Sequence, residues 1–568
     1  MRILLLSHSF NSLTQRLFVE LVEAGHNVAV EFDINDAITI EAVQIFTPDL
    51  VVAPFLKRAI PAEVWSKLPC LIVHPGPPGD RGPASLDWAI LDGRREWGVT
   101  VLQATGEMDA GPVWAWRSFA MRQATKSSLY RNEVTEGAAQ AVAEAVACFE
   151  NGVCQPPDRS VLADIEPQWR GPVSRKDREI DWQRDDTDAV LRKIASADGT
   201  PGVRDRIGGR DLFLFNASRA DLESVGAAPG EVIGRSDRMI LRATRDGAVW
   251  IGHARFAEAK AIKLPAARLL ADSIAHVPLI QGPCDIWYEE SDGVGYLHFP
   301  LHNGAMGVKA CEQLLAAFEA ASQSSARVIV LMGGADFWSN GLDLNEIEAA
   351  ASPADQSWAN INAIDDLATR IVRATDQLVV SAMCGNAGAG GVFLARCADE
   401  VWLRRGVVLN PHYKDMGNLY GSELWTYLLP KHVGEERARA IMQRRLPMGA
   451  REAVRLGLAN KIVDVDRSEF ARTVAVLARE IASAPDLPEL LAGKRRQREA
   501  DEAAKPLSAY RTEELQRMRR NFYGFDPSYH VARYNFVHKI PKSRTPLTIA
   551  RHRDRSWRTT AVVEEAAQ

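Results

Sequence analysis

Two short apolar runs, each emptying into a glycine-rich loop, constrain this chain most. One is CLIVHPGPPGDRGP at residues 70–83 and the other LVVSAMCGNAGAGG at residues 378–391. A short apolar run bounded by turn residues reads as a buried strand. A strand that ends in such a loop is where α/β sheets put their ligands. Around the first run, Arg2–Ser7, Val28–Phe32 and the PDLVVAPF stretch from Pro48 read as further strands, and Thr14–Ala24 as a helix stopped at Gly25. Around the second, VGYLHFP and VIVLMGG read as strands, and Ala305–Ser322 and Asp355–Thr375 as helices. Residues 431–482 read as helical throughout. Between the blocks DLFLFNA, GEVIGR, MILRAT and AVWIGHARF, separated by Gly, Asp-Gly and Pro turns, predict a small β-rich domain.

The pattern is α/β and multidomain, as expected of 568 residues at roughly 100–200 per domain. The expected division is 1–162 (parallel-sheet domain), 163–275 (small β-rich domain), 276–490 (second α/β domain) and 491–568 (helical extension). PLIQGPCD near residue 280 reads as a linker. Residues 494–520, KRRQREADEAAK among them, read as a solvated helical face, and the basic stretch after Tyr529 reads either as a surface tail or as a clamp for ligand phosphates.

Composition narrows the function. With 46% hydrophobic and 25% charged residues the chain is ordinary globular material, so collagen-like and wholly disordered readings fall away. A net charge of −5 gives no general support for nucleic-acid binding. The amino-terminal MRILLLSHSF is expected as a buried strand rather than a signal-peptide core, and no apolar run is long enough to span a membrane. Seven scattered cysteines without a CxxC pair fit a reducing cytoplasm, and no metal-ligand cluster stands out.

In the first block His74 ends a strand, and Asp109 follows in an Asp-x-Gly-Pro turn. That pairing suits a histidine acting as acid or electrostatic stabiliser with a carboxylate to orient it. His74, Arg81-Gly82, Trp88, Gly98-Val99-Thr100 and Asp109-x-Gly111 occur in the order found in 10-formyltetrahydrofolate-dependent formyltransferases, which residues 1–160 resemble. The resemblance implies His74 and Asp109 as catalytic residues, Arg81 as a folate-binding residue, and a pterin lying against PFLKRAIP. It also identifies one departure: Ile72 stands where the family has a catalytic Asn. The β-rich block resembles that family's small carboxy-terminal domain, which implies a barrel-like fold for it.

In the second block GGADFWSNGLDL and CGNAGAGG supply two glycine-rich turns that can aim two backbone N–H groups at one point, an oxyanion hole. These turns resemble the enoyl-CoA hydratase/isomerase (crotonase) superfamily. The resemblance implies the amides of Leu342 and Gly390 as the hole for a CoA thioester. Here too the chain departs: Phe393 occupies one hydratase Glu position and Tyr413 the other. Among His412, Tyr413 and Glu423, Glu423 is the nearest carboxylate able to replace the lost one. It is expected in the first turn of a helix capped by Ser422.

Taken together, WSNGLDLNEIEAA, NINAIDDL, VVLNPHYKDMG and LYGSELWTYLLP resemble the HypX/HoxX family of hydrogenase maturation factors along essentially the whole chain. That resemblance implies formyl transfer from 10-formyltetrahydrofolate to coenzyme A, then decarbonylation of formyl-CoA to carbon monoxide and CoA. Glu423 is expected as base for the formyl hydrogen and Tyr413 as its partner or as proton donor to sulfur, with the reverse roles left open. Lys539 and Arg544 in the basic tail are expected to pair with CoA phosphates. The partners implied are small-molecule substrates, with hydrogenase maturation proteins as further candidates. Two rivals stand beside this reading: an amine formyltransferase fused to an acyl-CoA hydratase/isomerase, and a non-catalytic CoA-binding scaffold.

Overall fold

The computed structural model describes residues 1–153, 167–222 and 226–554. The expected boundary at 162/163, Cys154 and the end of the basic tail lie outside them. The chain forms two compact units, Met1–Pro283 with Lys542–Gln568, and Cys284–Pro541.

In the first unit six strands line up in the order Asn27–Phe32, Arg2–Ser7, Leu50–Phe55, Cys70–His74, Glu96–Gln103, Val113–Ala120. The first four run parallel; Glu96–Gln103 runs antiparallel to Cys70–His74, and Val113–Ala120 antiparallel to Glu96–Gln103 in turn. The sheet is therefore mixed, and the short connection from Gln103 to Val113 makes the last pair a hairpin, since a parallel neighbour would require a longer crossover. Ile3, Leu4, Leu5, Val28, Val30, Val51 and Val52 are buried completely, as expected where both faces of a sheet are covered. Ser7, Phe32, Phe55 and His74 end the parallel strands on one edge, and the loops that follow gather there.

The β-rich block is an open antiparallel path, Val232–Arg235, Ile240–Ala243, Ala248–Phe256, Arg210–Arg219, Val203–Ile207. The helix Thr187–Ser196, capped by the Asp186 side chain on the Ala189 N–H, packs Val190 and Ile194 onto Leu212, Leu214 and Ile251.

The expected extension 491–568 is divided. Helices Leu487–Ala504, Leu507–Tyr523 and Ser528–Val537 belong to the second unit, whereas the chain from Lys542 belongs to the first. There it lies along the edge strand Asn27–Phe32. The Val30 N–H donates to Ile549 O (2.9 Å) and the Phe32 N–H to Thr545 Oγ1 (2.9 Å). The buried Glu31 carboxylate takes Thr545, His552 and Arg553 as partners. Lys539 and Arg544 thus fall in different units rather than in one tail.

The second unit carries the sheet Trp287–Ser291, Val294–Phe299, Val328–Gly333, Leu378–Met383, Glu400–Arg404, Lys461–Val463, parallel after its first strand. A smaller sheet of Phe337–Ser339, Asn386–Gly388, Val408–Asn410 and Met448–Gly449 holds both glycine-rich turns. Met448–Gly449 and Lys461–Val463 correct the all-helical reading of 431–482. Two or three residues are too few to display a strand's period of two. Among the described residues no helix is long and apolar enough to cross a membrane.

Candidate active sites

At the first site His74 is buried at the end of its strand and faces two carboxylates. Nε2 lies 2.8 Å from Asp80 Oδ2, and Nδ1 lies 3.5 Å from Asp109 Oδ2. The closer partner, Asp80, is one the sequence reading passed over; it sits in GDRG, six residues past the histidine, and Asp80 Oδ1 is buried without a hydrogen bond. Asp109 has a left-handed backbone (φ 52°), and its Oδ2 accepts the Gly82 N–H at 3.1 Å. The loop after His74 is tied down by three donors: Ser85 Oγ and Trp97 Nε1 to Pro75 O (2.8 and 2.9 Å) and Thr100 Oγ1 to Gly76 O (2.7 Å). Gly76 is needed there, since a Cβ would strike His74, Asp80 and Ser85 at once. Arg81 pairs with Glu107 at 2.8 Å. The PFLKRAIP loop is organised by Asp33: Oδ2 accepts the N–H groups of Lys57 (2.9 Å) and Arg58 (3.3 Å), and Oδ1 meets His8 Nδ1 at 2.8 Å. Neither His8 nor Asp33 was singled out from sequence, because nothing local marks two residues at neighbouring strand ends as partners.

At the second site the structure brings Tyr413, Glu423 and Gly390 together. The Tyr413 hydroxyl donates to Glu423 Oε2 at 2.6 Å, with Ser422 O 3.0 Å away. Oε1 lies against Gly390, where an added Cβ would run into it. Gly341 packs next to Gly390, so the two glycine turns adjoin as Leu342 and Gly390 require. Phe393, expected at a hydratase Glu position, is fully buried and stacks on Tyr413 with centroids 5.4 Å apart.

The helix after Glu423 begins later than expected. Glu423 (φ 60°) and Leu424 (φ 59°) both adopt the left-handed conformation, and the helix runs Trp425–Val433. Left-handed backbone costs a non-glycine residue about 1 kcal/mol. Asp365 Oδ1 accepts the Glu423 N–H (2.8 Å) and Glu514 Oε2 the Leu424 N–H (3.0 Å), and these bonds hold the pair there. Ser422 therefore does not cap the helix. Its hydroxyl turns to Asp365 Oδ2 (2.7 Å), with Glu514 Oε2 at 3.2 Å. Glu514 does the capping from a distant helix, its Oε1 accepting the Thr426 N–H at 2.8 Å.

Asp365, Glu423 and Glu514 are 0–1% exposed. Burial, and then the neighbouring Asp365 charge, push Glu423 up to about 8. The same two causes raise Glu514 to about 8, and burial raises Asp365 to about 6. Burial and then Glu423 raise the Tyr413 phenol well above its ordinary value. The chemistry available is that of a general base poised above neutrality with a phenol bound to it. Asp365 lay in NINAIDDL without an assigned role, and Glu514 lay in a region expected to be solvated. A carboxylate beside the apolar positions of a helix was the available signal for each.

Lys539 is exposed, with its ammonium over the Phe536 ring, and Arg544 is exposed in the first unit. The closing helix Ser528–Val537 is anchored by Tyr529 to Ser357 Oγ (2.8 Å) and by Arg533 to Glu348 (2.7 Å), just past Leu342 and Asp343. It is a packed element, so the stretch after Tyr529 is not a surface tail as far as Val537.

Comparison with known proteins settles the family. The chain is 57% identical over 557 residues to the hydrogenase maturation factor HoxX of Bradyrhizobium diazoefficiens, covering 98% of each chain. It belongs to the HypX/HoxX hydrogenase maturation factors. A crystal structure of HypX from Aquifex aeolicus in complex with tetrahydrofolic acid superposes with a TM-score of 0.93 at 47% identity, covering 98% of this chain and 99% of that one. Residues 27–146 match the formyl transferase family, 172–267 the formyl transferase carboxy-terminal domain, and 289–520 the enoyl-CoA hydratase/isomerase family. The first part also resembles methionyl-tRNA formyltransferase of Nitrosospira multiformis, 26% identical over 194 residues, 34% of this chain and 59% of that one. This HypX/HoxX chain thus joins a formyltransferase half to a crotonase-like half.

Proposed function

We propose that the chain makes carbon monoxide for nickel–iron hydrogenase maturation, in the cytoplasm, by two reactions. At the first site the formyl group of 10-formyltetrahydrofolate passes to the CoA thiol, giving formyl-CoA and tetrahydrofolate. The family likeness and the tetrahydrofolate in the Aquifex HypX crystal support the donor. His74, held between Asp80 and Asp109, serves as acid and stabiliser for the formyl oxygen. The Asn position is Ile72, so the acceptor here is a thiol, which releases its proton more readily than an amine.

At the second site the amides of Leu342 and Gly390 hold the thioester oxygen. Glu423 takes the formyl proton, and the C–S bond breaks with its electron pair going to sulfur. The proton then passes to the thiolate, directly from Glu423 or through Tyr413. Carbon monoxide and CoA–SH are the products, so the atoms balance. The observation that carries this reading is the Tyr413–Glu423 hydrogen bond set against Gly390, with Phe393 where a hydratase would keep a water-activating Glu.

The test supplies purified protein with 10-formyltetrahydrofolate and CoA, and follows carboxyhaemoglobin spectrally. Carbon monoxide that depends on both substrates supports the reading. Hydration of an enoyl-CoA without carbon monoxide supports the bifunctional rival, and no turnover of any kind supports the scaffold.

A further inference from the structure

Four peptide N–H groups in the segment that carries Glu423 end on carboxylates. Ser422 donates to Glu423 Oε2 (3.2 Å), Glu423 to Asp365 Oδ1, Leu424 to Glu514 Oε2 and Thr426 to Glu514 Oε1. The carboxylates come from three places: the loop itself, the helix Pro353–Val372 and the helix Leu507–Tyr523. Ser422 Oγ stands between the latter two, 2.7 Å from Asp365 Oδ2 and 3.2 Å from Glu514 Oε2, with one proton to donate. Neither Asp365 nor Glu514 has any part in the steps proposed above. Burying two further acids beside a third is costly unless they serve a purpose. The purpose legible here is geometric. The two consecutive left-handed residues turn the Glu423 side chain back onto Gly390, and those residues are held by the two acids.

We propose that Asp365 and Glu514 are positioning residues for the second site, holding Glu423 and Leu424 in the left-handed turn that places the Glu423 carboxylate against Gly390. The proposal rests on the carbon-monoxide reading for its kinetic consequence but not for its structural one. As charges the two acids also bear on the proton affinity of Glu423. The groups facing that carboxylate are Tyr413 from its loop, Asp365 and Glu514 from their helices, and the thiols Cys311 and Cys397; Arg511 Nε stands 3.7 Å behind Asp365. Removing the Asp365 charge lowers the proton affinity of Glu423, so the basic form persists to lower pH.

The experiment uses the full chain and three variants, D365N, D365A and E514Q. D365N keeps an oxygen to accept the Glu423 N–H but loses the charge. Its acid limb for carbon monoxide release is expected to move down by about one pH unit, with the plateau rate within about fivefold of wild type. E514Q turns one of the two oxygens that accept the Leu424 and Thr426 N–H groups into a donor, so carbon monoxide release is expected to fall in it as well. D365A loses the acceptor, and carbon monoxide release is expected to drop by more than about tenfold, while consumption of 10-formyltetrahydrofolate in single turnover is unchanged. A crystal structure of D365A should show residues 423 and 424 out of the left-handed region. An unshifted limb in D365N together with an unchanged turn in D365A overturns the proposal. Should wild type itself make no carbon monoxide, the functional reading falls, and the D365A crystal structure still decides the positioning claim.

Discussion

At the first site one buried histidine stands between two carboxylates. At the second, three buried carboxylates stand around one serine, with a phenol on one side and an arginine at the edge. Both sites sit on glycine-rich loops at strand ends, so the scaffold does not distinguish them; the kinds of ionisable group gathered there do. A histidine whose ring nitrogens face a carboxylate on each side is held in place for a step that stabilises a developing negative oxygen. Like charges crowded away from water make one another hold protons, which suits a base for a weakly acidic C–H. The two halves thus offer different groups for proton chemistry on similar frames.

The contrast is broken most sharply at Glu423. Glu423→Gln should lower carbon monoxide release by on the order of 10²–10⁴-fold while leaving formyl transfer intact, read by mass spectrometry of the CoA pool beside carboxyhaemoglobin. Mirror behaviour is expected of His74→Ala, which should lose formyl transfer by a similar factor yet still release carbon monoxide from supplied formyl-CoA. Within the first site, Asp80→Asn should cost more than Asp109→Asn, because Asp80 makes the shorter contact. Equal loss would mean that the 3.5 Å pair tightens on substrate binding.

How much of this was legible in the sequence differs between the halves. His74, Asp109, Tyr413 and Glu423 stand in recognisable strings, and the structure puts each pair in contact. Asp80, Asp365 and Glu514 were not legible, for different reasons. Asp80 lies in a loop whose path depends on Gly76 and on the Thr100, Trp97 and Ser85 bonds from elsewhere in the chain. Asp365 and Glu514 lie on helices whose surface charge hides which single carboxylate turns inward. The helix start at Trp425 could not be read locally either, since its cap is a side chain 88 residues further on. Position 568 in a linear string likewise gives no hint that the chain from Lys542 returns to the strand Asn27–Phe32.

A smaller effect sharpens the comparison through pH. With Glu423 raised to about 8, its basic form grows as pH rises, so carbon monoxide release from formyl-CoA should increase through that region. In Glu423→Asp any residual activity should keep a limb of the same sign. A rate that falls with rising pH over this range would move the base elsewhere. Gly390→Val should disable the second site by forcing Glu423 aside, whereas Leu342→Ala, which keeps its backbone N–H, should remain within a few-fold of wild type. Smallest of all, Lys539→Ala and Arg544→Ala should each weaken CoA binding by less than about tenfold in calorimetry, as exposed cations do.

The most direct test of the account is a single-turnover reaction of wild type, Glu423→Gln and Tyr413→Phe with 10-formyltetrahydrofolate and CoA, reading carbon monoxide and the CoA pool in the same sample. The account predicts carbon monoxide in step with folate turnover for wild type, and formyl-CoA, or formate from its hydrolysis, accumulating without carbon monoxide in both variants. Normal carbon monoxide release from both variants would contradict it.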